Sequence, residues 1–102
     1  MVEIGEWIPL LASARLPKVH GLYIIRNTLN GKEYVGLTRS IRKRMAAHRA
    51  ASGPWPLYQA IRKYGHDAFE VCVHLEGEPE NLQELEILLI AERGTYRKGY
   101  NA

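Results

Sequence analysis

The chain has 102 residues, 46% of them hydrophobic and 25% charged, the composition of an ordinary soluble globular domain with room for one modest core. Its single cysteine, Cys72, excludes an intramolecular disulfide and a cysteine-built zinc site; acidic Glu3 and Glu6 ahead of Pro9 exclude a secretory signal, and the apolar run Ile87–Ala91 is too short to span a bilayer. The net charge of +3 is segregated: Arg26, Lys32, Arg39, Arg42, Lys43, Arg44, Arg49, Arg62 and Lys63 face one acid, Glu33, whereas Tyr64–Glu92 holds acids and no Lys or Arg, so a polyanion would be drawn to one segment only.

A soluble, cytoplasmic, single-domain protein is expected, with residues 20–101 as the core and 1–19 as an N-terminal extension. In that extension Glu6–Leu16 predicts a short helix limited by Pro9 and Pro17, laying Trp7, Ile8, Leu10 and Leu11 across an open side of the core. Next comes the densest local signal, GLYIIRNTLNGKEYVG over Gly21–Gly36. Two apolar-rich runs, Leu22–Arg26 and Glu33–Leu37, flank Asn30-Gly31, a dipeptide that tolerates the positive φ of a tight hairpin turn. A symmetric two-residue loop would set Ile25 opposite Gly36 and Asn27 opposite Tyr34. Tyr23, Ile25, Tyr34 and Gly36 would then share one face, although tyrosine is also simply a good strand residue.

Thr38 or Ser40 can cap a helix running to about Ser52, where Gly53-Pro54 stops it. Ile41, Arg44, Met45 and His48 recur on one stripe of that helix, so Arg44 and His48 stand where a core-facing helix normally has leucines. A second helix is expected over Trp55–Tyr64, with Leu57, Tyr58 and Ile61 facing in and Gly65 ending it. Phe69–Leu75 alternates like a half-exposed strand joining the hairpin, and Pro79 opens a long helix that Gly94 ends after Arg93. On that helix Glu86 lies among Leu82, Leu85, Leu89 and Ile90. A carboxylate within an apolar stripe is costly unless it is paired, holds a metal or reaches solvent at the stripe's edge, and an ion pair with Arg44 is one such solution.

The run GLYIIRN…KEYVG resembles the two-part signature of the GIY-YIG endonuclease family, with Leu22 and Val35 in place of its two isoleucines. The resemblance continues through Arg44, His48, Glu86 and Tyr100-Asn101, and LYQAIRKYGHDAF over Leu57–Phe69 is similar to the phage and homing-endonuclease branch, implying a phage or mobile-element setting. A histidine that some homing enzymes carry after the first helix has no counterpart in Ala51-Ser52-Gly53-Pro54. The resemblance implies an α+β fold, a small sandwich with a three-stranded antiparallel sheet flanked by about three helices. It also implies a metal-dependent DNA endonuclease acting on double-stranded or branched DNA, with specificity from a separate DNA-binding domain or partner.

Phosphodiester hydrolysis needs an activated water, neutralisation of phosphate charge and help for the departing oxygen. Glu86 is expected to bind one Mg²⁺ or Mn²⁺, and Arg44 to hold the non-bridging oxygens through its planar fork. By similarity to the family, Tyr23 would orient or deprotonate the water, with His48 as acceptor of that proton or as the alternative base. Tyr34 would position water and phosphate, and Asn101 would pack the terminal segment against the site. Arg39, Arg42, Lys43, Arg49, Arg62 and Lys63 are the expected nucleic-acid contacts, while His20, His66 and His74 show no metal-ligand spacing and read as structural. A binding module that keeps the fold without cleaving is the competing reading, and a carboxylate beside phosphate argues against it.

Overall fold

The computed structural model describes Val2–Asn101. Its centre is a four-stranded antiparallel sheet in the order β1-β4-β2-β3, formed by β1 (Ile8–Pro9), β2 (Gly21–Asn27), β3 (Glu33–Thr38) and β4 (Phe69–Glu76). Helices α1 (Ile41–Ala50) and α2 (Pro56–Tyr64) cover one face, where Ile41, Met45, Leu57 and Ile61 pack with Tyr23 and Ile25. The long helix α3 (Pro79–Arg93) covers the other, where Leu82 and Leu89 pack with Leu22, Ile24, Val35 and Cys72. Strand β2 is therefore enclosed from both faces and both edges, which is why its sequence is nearly continuous in apolar residues.

The expected three strands become four because the N-terminus contributes one. Ile8 pairs with Val71 and Pro9 with Glu70 at the outer edge of β4, where a proline's missing N–H is tolerated. The anticipated helix over Glu6–Leu16 is reduced to a 3-10 helix over Leu10–Arg15, since Ile8–Pro9 are used as strand. Strand β4 is also not half-exposed: α3 buries Cys72 on the side read as solvent-facing. A register slip between Leu22 and Tyr23 sets Leu75, not His74, opposite Leu22.

The hairpin forms with a longer loop than the two residues expected. Asn27 N–H donates to Lys32 O (2.9 Å) and Gly31 N–H to Asn27 O (2.8 Å), Gly31 sitting at φ 75°. Two side chains hold this four-residue turn, Asn27 Oδ1 accepting from Leu29 N–H and Asn30 Oδ1 from Lys32 N–H, each at 2.9 Å. The register is displaced by two residues, so Tyr23 faces Gly36 and Ile25 faces Tyr34. A shift of two preserves side-chain parity, and the four residues expected on one face remain there.

Ser40 caps α1, its hydroxyl accepting from Lys43 N–H (3.3 Å), and the helix ends at Ala51, earlier than Ser52, in a left-handed conformation (φ 48°). Arg62 Nη1 donates to the Ala51 carbonyl (2.6 Å), which gives that turn a partner. A short helix α4 (Thr95–Lys98), not foreseen, returns the chain to the free edge of β3, where Tyr100 N–H donates to Glu33 O (2.8 Å). Among the described residues no helix is long and apolar enough to cross a membrane.

One tight steric constraint is at Gly36. A Cβ there would overlap the buried Tyr23 ring that lies across it. We expect Gly36→Ala to destabilise the fold by about 1–3 kcal/mol in chemical denaturation, through displacement of a ring with no free space to enter. Gly31→Ala, at an open turn position, should cost about 1 kcal/mol through its positive φ alone.

Candidate active site

The Tyr23 ring crosses the missing side chain of Gly36 and its hydroxyl meets His48 Nε2 at 2.7 Å, a buried hydrogen bond between β2 and α1. His48 is then enclosed by three phenols: its ring centroid lies 5.5 Å from Tyr23, 5.6 Å from Tyr34 and 5.5 Å from Tyr58, the last two edge-on. Tyr34 comes from β3 and stands 6.1 Å from Tyr23 on the same sheet face, as parity requires. Ile41, Met45 and His48 form the buried stripe of α1. Arg44, expected in that stripe, is exposed at its edge.

A cleft of about 350 Å³ opens beside these rings, lined by Tyr34, Arg44 and His48 and walled by Trp55, Tyr58 and Asn101. Asn101 closes the sheet edge below it: Nδ2 donates to Val35 O and Oδ1 accepts from Val35 N–H, both at 2.9 Å, so one side chain replaces a strand partner. Tyr100 is tied down by Asn27 Nδ2, which donates to its hydroxyl (3.1 Å).

Burial pushes the Tyr23 phenol well above its ordinary value, the nearby Tyr34 adds to the rise, and Arg44 only partly opposes it. Burial, then the Arg44 guanidinium, lowers His48 from 6.5 to about 4. The imidazole is therefore neutral at physiological pH, and its Nδ1 has no hydrogen-bond partner among the described residues. A neutral imidazole bonded to a neutral phenol can relay a proton, whereas a free phenolate is disfavoured there.

Glu86 is half-buried on α3, across the sheet from α1, and does not line the cleft. It precedes Arg93 by two helical turns and so shares the α3 flank from which Arg93 Nη1 reaches Glu33 Oε2 on β3 (2.9 Å). Burial raises the Glu86 carboxyl above its ordinary value, and no ion pair among the described residues includes it, so the pairing with Arg44 that the sequence allowed does not form. Among those residues no group of three or more His, Cys, Asp or Glu side chains could hold a metal ion.

A model of the GIY-YIG catalytic domain matches residues 19–101. The chain belongs to the GIY-YIG family. Two solved structures share its fold: a glutamate-to-alanine variant of the catalytic domain of intron endonuclease I-TevI (TM-score 0.68, 27% identity, 81% of this chain and 92% of that one) and the catalytic domain of homing endonuclease I-TevI (TM-score 0.66, 27% identity, 79% and 95%). Among curated proteins no sequence matches the chain significantly.

In this GIY-YIG domain the six expected basic contacts differ in their surroundings. Arg39 bridges to Glu78 (3.7 Å) and Glu80, Arg49 Nη1 donates to Ser13 Oγ (2.6 Å), Arg62 is engaged with Ala51, and the Lys63 ammonium lies 5.2 Å from the Tyr64 ring centroid. Arg42 and Lys43 are exposed on the helix that presents Arg44. His20 Nδ1 meets a Glu78 carboxylate oxygen (3.0 Å) and His66 Nε2 meets Arg49 O (2.6 Å). Sequence reasoning missed Trp55 as a cleft residue and placed Tyr58 simply in the core. The flanking Pro54 and Pro56 were the available signal for a fixed, outward Trp55.

His48 also makes the fold pH-sensitive. Its folded-state value lies below its unfolded one, so the unfolded chain binds more protons between about pH 6.5 and 4, and stability is lost as pH falls through that window. We expect denaturant titrations to show that His48→Gln removes about 3 kcal/mol of the acid loss seen in the native chain over that range.

Proposed function

We propose that this GIY-YIG domain is a metal-dependent DNA endonuclease that hydrolyses phosphodiester bonds. The observation that carries the reading is the buried Tyr23–His48 hydrogen bond set behind a cleft whose mouth presents Arg44, in a chain of this family. Structural likeness to a domain described as an intron and homing endonuclease catalytic domain supports it.

In this mechanism Arg44 holds the non-bridging oxygens of the scissile phosphate by charge-assisted hydrogen bonds. Tyr34, half-buried at the cleft, positions the attacking water. As the water attacks phosphorus its proton passes to the Tyr23 hydroxyl while the Tyr23 proton passes to His48 Nε2, so no free phenolate stands in a site that disfavours one. The low basicity of His48 favours return of that proton to solvent rather than its storage. Asn101 holds the terminal segment on Val35 and thereby one wall of the cleft.

Glu86 suits a single hard cation: it is one desolvated carboxylate without an ionic partner among the described residues, and Mg²⁺ or Mn²⁺ takes most of its shell from water and phosphate. When bound, such an ion supplies Lewis-acid polarisation of the phosphate and positive charge for the departing oxygen. Arg42 and Lys43, exposed beside Arg44, are the leading phosphate contacts outside the cleft, with Arg39, Arg49, Arg62 and Lys63 extending the basic surface. Phosphate contacts carry no sequence information directly, so site choice is assigned to a separate DNA-binding domain or partner, with residues 20–101 as the catalytic unit.

With Mg²⁺ the chain should nick or cut supercoiled plasmid. Glu86→Ala should abolish cleavage while leaving the thermal transition in place, and an active Glu86→Ala protein would sink the metal assignment. Arg44→Ala should lower the cleavage rate by about 100-fold or more. Tyr23→Phe, which keeps the ring and removes the relay oxygen, should cost a similar factor in single-turnover rate. A native chain that binds every nucleic acid offered and cuts none would favour the binding-module reading instead.

A further inference from the structure

Trp55 is exposed over 63% of its surface at the rim of the cleft that holds Arg44 and His48. The chain's other tryptophan, Trp7, is half-buried with the Arg26 guanidinium 4.0 Å from its ring centroid. Trp55 makes no such cation–π contact and no ring stack among the described residues.

Its exposure does not come from a loose loop. Trp55 lies between Pro54 and Pro56, at φ −63° and ψ 143°, and Pro56 opens α2. Gln59 clamps both sides of the turn, its N–H donating to Trp55 O (2.9 Å) and its Nε2 to Pro54 O (2.7 Å). Gly53, at φ 114°, lies beside one edge of the indole, where a Cβ would stand 3.6 Å from Cδ1. A rigid aromatic side chain held out into water is costly as packing but suited to receiving another flat ring at small entropic cost.

We propose that Trp55 is a stacking platform for a nucleobase unstacked from the substrate strand beside the phosphate held by Arg44. The substrate class is therefore DNA with an unpaired or extruded base next to the scissile bond. This deepens, and rests on, the endonuclease reading of the cleft. Paired DNA offers phosphates and groove edges, which Arg44, Arg42 and Lys43 can meet, but no free π-face for an indole. An unpaired base offers one, and its stacking tolerates any sequence because every base has a π-face. Tyr34 and Tyr58 give the same cleft two further aromatic walls, so a base entering there remains among rings.

The test uses the full chain with Trp7→Phe as background, leaving Trp55 as the sole indole. In EDTA, a single-stranded oligonucleotide and a duplex with a one-nucleotide bulge should quench its fluorescence, whereas a fully paired duplex of the same sequence should not. Trp55→Ala should weaken binding of the first two about tenfold, measured by anisotropy of labelled DNA, with Trp55→Phe recovering most of the loss. In Mg²⁺, Trp55→Ala should raise KM for the bulged duplex with little change in kcat. Unaltered Trp55→Ala affinities together with an unchanged bulged-to-paired cleavage ratio would overturn the proposal while leaving the endonuclease reading intact. Trp55-dependent quenching by a chain that cuts no DNA would do the reverse, supporting the platform and removing the nuclease.

Discussion

A phenol lying across a glycine organises this molecule. Tyr23 can span from the central strand to α1 only because Gly36, its partner on β3, has no side chain, and the 2.7 Å bond to His48 fixes where α1 sits over the sheet. Once that bond is made, the remaining rings follow from backbone geometry. Tyr34 stands two residues from Gly36 on the same face of β3, and Tyr58 reaches His48 from α2. Arg44 precedes His48 by one helical turn and emerges at the edge of the buried stripe, so one helix supplies both the enclosed imidazole and the solvent-facing guanidinium.

The two halves of the proposed chemistry lie on opposite layers of the sandwich. The phenol–imidazole pair and Arg44 belong to the α1 and α2 layer, while Glu86 belongs to α3 behind the sheet. What links the layers is the edge strand β3, which contributes Tyr34 to one face, receives Arg93 from α3 through Glu33, and is closed by Asn101 along its free side. An edge with unpaired N–H and C=O groups would be a site of misassociation, and here it becomes a seam joined by one amide side chain.

The charge pattern has a similar division. Acids from the second half of the chain reach back to basic residues of the first: Glu70 to Arg26 (3.0 Å), Glu78 and Glu80 to Arg39. The exposed pairs of Arg39 contribute little stability and are screened by salt, so a polyanion can compete for Arg39 at modest cost. The exposed cations of α1, Arg42, Lys43 and Arg44, stay concentrated near the cleft mouth.

The sequence by itself determined the hairpin, the bounds of α3, the sharing of one face by Tyr23, Ile25, Tyr34 and Gly36, and the family, because each rests on local periodicity or on residue order. Pro79 and Gly94 mark a helix wherever it packs, and strand parity survives any shift of two residues. The tertiary structure alone decided the loop length, the fourth strand, the burial of Cys72 and the separation of Glu86 from Arg44. Those depend on which surfaces meet. Ile8–Pro9 become a strand only when β4 offers an open edge, and Arg44 leaves its stripe only because the cleft opens where the stripe ends. Trp55 belongs to the same group: its sequence shows a rigid aromatic corner between two prolines, but only the tertiary fold, in which Tyr58 of α2 meets His48 of α1, puts that corner beside the site.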